Sequence, residues 1–222
     1  MTRVWLALLL SLAAARAGAA EALDPTPVKR WLAKQGDFHS VTADFTQTRA
    51  LRALRSPLAS AGRLWFKAPD SFRWELGNPA KTIILRKGET IFLIQPGKKH
   101  AERNAVSTLN QNAGAQGLGM MNFPLARDFA DFDKQFEMLS IATEGTRCHL
   151  EVLPRDPRAR KSLTALKFDL DTATHYLLSF EMITRDGSSL RNEFTNVQVN
   201  TKIDHSVFDF DFTGYDVVDA KP

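Results

Sequence analysis

The chain has 222 residues, and its 29 Lys and Arg against 25 Asp and Glu give a formal net charge of +4, too balanced for a nucleic-acid-binding protein, where a strong basic excess is expected. Its one cysteine, Cys148, excludes an intramolecular disulfide and cannot complete a zinc site.

Arg3 followed by the apolar run Val4 to Ala15 (VWLALLLSLAAA) reads as an export signal, and Gly18-Ala19-Ala20 fits cleavage before Glu21, with cleavage after Ala17, Ala19 or Ala22 as alternatives. The run is shorter than the ~20 residues a spanning helix needs. The expectation is a removed signal peptide over residues 1–20 and one domain over 21–222. Losing Arg3 and Arg16 leaves 27 basic against 25 acidic residues. A bacterial lipoprotein carries Cys directly after its signal, and that place holds none here. The expected product is exported, soluble and not itself lipidated.

Asp24 to Gly36 (DPTPVKRWLAKQG) predicts a helix, with Asp24 as N-cap, Pro25 at the first position and Gly36 at the end. Val28, Trp31 and Leu32 form its apolar stripe. Phe38 to Leu51 predicts a strand with Val41, Ala43 and Phe45 on one face and Thr42, Asp44 and Thr46 on the other. Arg49, Arg52 and Arg55 mark a basic turn. Ser60 to Leu76 (SAGRLWFKAPDSFRWEL) reads as two antiparallel strands around a Pro69-Asp70 turn. Leu64 and Phe66 alternate on the first, and Phe72, Trp74 and Leu76 on the second, which puts all five on one face. Short strands at Lys81–Arg86, Glu89–Gln95 and Lys98–Arg103 continue a meander through Lys87-Gly88 and Pro96-Gly97 turns. Ile83 to Leu85 and Ile91 to Ile94 are apolar throughout, so both sheet faces are covered there.

Alternation stops from Ala105 to Asp133. Gly114, Gly117, Gly119 and Pro124 interrupt a stretch rich in Leu118, Met120, Met121, Phe123, Leu125 and Phe129. Short broken helices acting as a mobile apolar lid are one reading, since unbranched Met packs on irregular ligands; a helical crossover held in the core is the other. Strands resume at Phe136–Ala142, Arg147–Leu153, Leu163–Leu170, Tyr176–Thr184 and Leu190–Val199. Cys148 shares a face with Leu150 and Val152, which reads as a buried structural thiol. Asp186-Gly187 is a type I′ signal. Phe208, Phe210 and Phe212 alternate on an expected last strand, followed by a frayed terminus. About eleven strands make a sheet that must curl.

Five scattered histidines, no H-E-x-x-H, no G-x-S-x-G and no Walker loop leave little that carries chemistry. Asp169/Asp171 and Asp209/Asp211 each share a strand face. Paired carboxylates can do acid–base work, but the simpler reading is the solvated side of strands whose other side is apolar. The basic groups Arg49/Arg52/Arg55, Lys98/Lys99/His100 and Arg155/Arg158/Arg160/Lys161 all fall in turns. They read as solvated loops, or as a docking surface for an acidic partner or anionic headgroups.

Phe45-Thr46-Gln47, Gly62-Arg63-Leu64-Trp65-Phe66, Pro69, Phe72-Arg73-Trp74 and Pro79 occur in the order seen in periplasmic outer-membrane lipoprotein carriers, and the chain resembles that LolA family. The resemblance implies a mainly β fold with some α, an unclosed, curved antiparallel barrel with short helices over its mouth. It implies a hydrophobic cavity for acyl chains, with the position of Phe72 important for cargo handling. It implies a periplasmic, non-catalytic carrier without cofactor or metal, and no nucleic-acid partner. The partners implied are lipoprotein cargo, an inner-membrane lipoprotein-releasing transporter and an outer-membrane acceptor, with the carrier a monomer. The expected lipid-binding residues are Phe45, Leu64, Phe66, Phe72, Trp74, Leu76, Leu118, Met120, Met121 and Phe123. The family's Arg before the turn proline is Ala68 here, so its closing bond is absent or supplied by Lys67 or another residue. That departure keeps open a related carrier or sensor for another lipid or glycolipid.

Overall fold

The computed structural model describes residues 23–106 and 128–220. The first meander is β1 (Ser40–Ala50), β2 (Leu58–Lys67), β3 (Ser71–Leu76), β4 (Thr82–Lys87), β5 (Thr90–Gln95) and β6 (His100–Ala105). The second is β7 (Phe136–Glu144), β8 (Arg147–Pro154), β9 (Leu163–Asp171), β10 (Leu177–Thr184) and β11 (Ser189–Val199), and β12 (Asp216–Asp219) closes the chain. All twelve lie in one sheet, in the order β12-β6-β5-β4-β3-β2-β1-β11-β10-β9-β8-β7. The two meanders join where β11 returns to β1, from Val41 opposite Val199 to Ala50 opposite Ser189. The outermost strands β12 and β7 do not pair, so the sheet is curved and unclosed, as accumulated twist requires of so many strands. Every neighbouring pair is antiparallel except β6 and β12, which run parallel.

Two helices lie on one face, called inner here. Helix α1 (Thr26–Gln35) buries Val28, Trp31 and Leu32, the stripe expected of it. Pro25 rather than Asp24 occupies its N-cap, and the Asp24 carboxylate accepts from the Thr26 N–H at 3.0 Å. Helix α2 (Phe129–Gln135) is capped by Asp128, which accepts from the Asp131 N–H, and buries Phe132. These side chains pack with Leu150 and Val152 of β8, Leu166 and Phe168 of β9 and Phe180 of β10. Cys148 joins them fully buried, and burial pushes its thiol up. It is structural, as its alternation with Leu150 and Val152 predicts. A third, one-turn helix, α3 (Pro157–Arg160), links β8 to β9.

The outer face of β2–β6 is covered by the segment after β11. Ile203 and Phe208 pack against Ile83, Leu85, Ile94 and Ala101, with Phe210, Phe212 and Tyr215 around them. The Arg73 guanidinium donates to the carbonyls of Val207 at 2.9 Å and Asp209 at 3.2 Å and pairs with Glu75 at 2.6 Å, stapling the segment to β3. This corrects the expectation of a strand through Phe208–Phe212. Phe208 ends a 3-10 turn (His205–Phe208), and the last strand is Asp216–Asp219. It brings the strands to twelve against about eleven expected. The Asp186-Gly187 turn is also not type I′. Of these two residues only Gly187 has positive φ, and Asp186 instead braces a four-residue connection by accepting from the Ser188 N–H and the Thr184 hydroxyl.

Candidate functional site

Strand register decides which side chains share the inner face. Leu64 stands opposite Trp74, Phe66 opposite Phe72 and Gly62 opposite Leu76. On the next strand Ile84 faces Trp74, and Leu93 faces Ile84. Phe45 stands opposite Gly62 on β2 and opposite Phe194 on β11. All six expected residues of the described strands are therefore on one face, the face that carries α1 and α2.

Four rings run across it. Phe45 stacks on Trp74 with centroids 3.8 Å apart. Phe72 lies 6.4 Å from Trp74 at an interplanar angle of 21°. Phe194 lies 6.2 Å from Phe45 and meets Trp74 edge-on at 6.3 Å. Gly62 makes the stack possible: a Cβ there would run into the Phe45 ring and come 2.6 Å from the Glu75 carbonyl oxygen. Phe45 is 2 % exposed, whereas Leu64, Phe66, Phe72, Trp74 and Leu76 are half-buried. The wall thus presents large apolar side chains that the described part of the fold only partly covers. Ile84, Ile91 and Leu93 are buried beside Trp74, and neither α1 nor α2 contributes to that cluster. The other expected residues, Leu118, Met120, Met121 and Phe123, lie outside the described residues, as do residues 107–127 of the expected lid, while its last part, from Phe129 to Asp133, belongs to α2.

Phe194 was not expected. Its inner-face neighbour on β11 is Asn192, and on its other side a bulge at Asn196, whose amide donates to Asp44 on the outer face at 2.8 Å, breaks the alternation. Arg86 is a second surprise. Register places it on the inner face between Phe72 and Ile91, where its Nε donates to the Gly88 carbonyl at 3.0 Å. One rung along the same row stands Asn104, whose Nδ2 is buried and finds no partner among the described residues.

Ala68 is exposed, and its N–H donates to the His39 carbonyl at 2.9 Å. Alternation after Phe66 turns Lys67 to the outer face. There its charge helps hold the Asp204 carboxyl below its usual value, behind the larger effect of hydrogen bonds from Ser206.

The aspartates of the two expected pairs, Asp169 and Asp171 on β9 and Asp209 and Asp211 on the segment after β11, are engaged away from the inner wall. Burial raises the Asp169 carboxyl, but hydrogen bonds from Ser179, His149 and Arg191 outweigh it and hold the group below its ordinary value. Those contacts measure 2.6, 2.7 and 2.9 Å. Asp171 accepts from the N–H groups of Ala173 and Thr174, Asp209 takes the Lys87 ammonium at 2.8 Å, and Asp211 accepts from the Thr213 N–H. Among the described residues no group of three or more His, Cys, Asp or Glu is placed to hold a metal ion.

Residues 37–211 match the family described as outer membrane lipoprotein carrier protein LolA. An outer-membrane lipoprotein carrier protein of Bordetella avium is 27% identical over 213 residues, covering 95% of this chain and 93% of that one. One from Methylibium petroleiphilum is 26% identical over 208 residues, covering 94% and 93%. Among solved structures, an uncharacterized conserved protein of Thermus thermophilus superposes with a TM-score of 0.54 at 8% identity, covering 88% of this chain and 98% of that one, a likeness of fold alone.

Proposed function

Because the chain belongs to the LolA family of outer membrane lipoprotein carrier proteins, we propose that it is a periplasmic carrier. In this reading it holds the acyl chains of a lipoprotein against the inner wall and moves them from an inner-membrane lipoprotein-releasing transporter to an outer-membrane acceptor. It works as a monomer and without catalysis or cofactor. The observation that carries the reading is the run of rings Phe72, Trp74, Phe45 and Phe194 on one half-covered sheet face. A wall of large apolar side chains is the surface that hydrocarbon needs. Keeping an acyl chain from water is worth about 0.8 kcal/mol per CH2, roughly 12 kcal/mol for sixteen carbons. A carrier must offset most of that and still release its cargo, which favours broad apolar area over tight shape complementarity.

The strand aspartates support a non-catalytic reading, since each is occupied in bracing the outer face or its loops. Ala68 favours a second reading, a carrier or sensor of another lipid or glycolipid, because a methyl group offers none of the donors of the family's arginine.

Depleting the protein in its host tests transport. Outer-membrane lipoproteins are expected to accumulate at the inner membrane on fractionation. Normal sorting in depleted cells would remove the lipoprotein reading and leave the second.

A further inference from the structure

In an antiparallel meander alternate connections emerge at the same end of the sheet. The β1–β2, β3–β4, β5–β6, β8–β9 and β10–β11 connections therefore share one rim, although their residues are scattered over more than half the chain. That rim is basic. The β1–β2 connection brings Arg49, Arg52 and Arg55, all exposed. Across the first meander it continues with exposed Lys81, Lys98 and Lys99, and across the second with exposed Arg158, Lys161 and Arg185.

The acids at this rim are already engaged. Glu137 takes Arg160 at 2.6 Å, and Asp133 takes Arg155 at 3.5 Å. Asp156 caps α3, Asp186 braces its own loop, and Asp216, at the start of β12, faces His100 at 3.2 Å. The opposite rim differs, since its four hairpin connections mix acids with bases: Asp70, Glu89, Glu144 and Asp171 stand there with Lys67, Lys87 and Arg147. Among the described residues, exposed cations are thus gathered at one rim, which the small net charge conceals.

The basic rim also carries exposed apolar side chains. Leu51, Leu54 and Leu58 are 38%, 44% and 52% exposed and alternate with the arginines of the β1–β2 connection. A turn closed by the Leu54 N–H on the Leu51 carbonyl, with the Arg52 N–H donating to Ser188 Oγ, holds that loop against the neighbouring one.

We propose that this rim docks the protein on an anionic phospholipid surface. Cations spread along a whole rim match an extended sheet of negative headgroups better than a compact acidic site, and leucines among arginines are suited to the headgroup–acyl boundary. The inference concerns the rim, not the inner wall, and does not depend on which cargo that wall holds.

The test uses residues 21–222, because the described fold begins at residue 23. Binding is measured by co-sedimentation with vesicles of phosphatidylcholine alone and of phosphatidylcholine and phosphatidylglycerol in equal parts. Binding is expected only with phosphatidylglycerol, and it should weaken as salt rises. The R49Q/R52Q/R55Q variant should lose about one to two orders of magnitude in partitioning, several-fold for each cation removed. The L54S/L58S variant should lose several-fold at unchanged charge. The R147Q/K202Q variant, changed away from this rim, should bind like wild type, and all these exposed substitutions should leave the melting temperature in place. Equal binding to both vesicles, an R49Q/R52Q/R55Q variant that binds normally, or capture of the rim by an acidic protein with no vesicle binding would each overturn the proposal.

Discussion

Trp74→Asp is expected to lower affinity for a fluorescent long-chain acyl probe by at least about a hundredfold, while the protein still melts cooperatively. Trp74 is the hub of the inner wall, stacked on Phe45, parallel to Phe72 and edge-on to Phe194. Replacing the indole removes roughly 2–3 kcal/mol of apolar contact with a bound chain, and the carboxylate adds the cost of facing hydrocarbon without a partner. Because Trp74 is only half-buried in the free protein, the fold tolerates the change better than the complex does. Trp74→Leu keeps the wall apolar and should cost less than about tenfold. Equal affinities for wild type and both variants, by fluorescence titration, would place acyl binding elsewhere.

Phe208→Ala is expected to destabilise the protein by about 3–5 kcal/mol in urea melts, with the melting temperature falling by roughly 10 °C. Phe208 is 1 % exposed and plugs the outer face against Ile83, Leu85 and Ile94. Its loss also loosens the segment that Arg73 holds through the Val207 and Asp209 carbonyls. The aromatic wall lies on the other side of the sheet, so the affinity of the folded fraction for the probe should change little. A loss below about 1 kcal/mol would show that the outer-face cover contributes little to stability.

Period-two alternation was enough to locate most strands and to put Leu64, Phe66, Phe72, Trp74 and Leu76 on a common face, because one buried face forces that pattern on the residues themselves; that Phe45 joins them follows from the β1–β2 register. The doubly covered strands were legible from the opposite sign, unbroken apolar runs that leave neither face polar: Ile84 and Leu93 face the wall while Ile83, Leu85 and Ile94 meet the Phe208 segment. What covers them was not legible. Phe208, Phe210 and Phe212 alternate like a strand, yet no strand edge receives them, and they pack as an irregular strap instead. Asp216–Asp219 is four exposed residues with no apolar period, and only its parallel pairing with β6 makes it a strand. Phe194 stayed hidden among polar neighbours because its partners, Phe45 and Trp74, lie more than a hundred residues away in the chain. The basic turns were visible one at a time; their gathering at one rim follows from strand direction, which no local window contains.

Mass spectrometry of protein taken directly from its host, first native and then after lipid extraction, tests acyl binding most directly. The inner wall predicts a bound species carrying fatty-acyl chains that leaves the Trp74→Asp variant and stays with Phe208→Ala. Wild-type protein recovered only as the bare polypeptide, and unable to take up an acylated peptide added to it, would contradict the account.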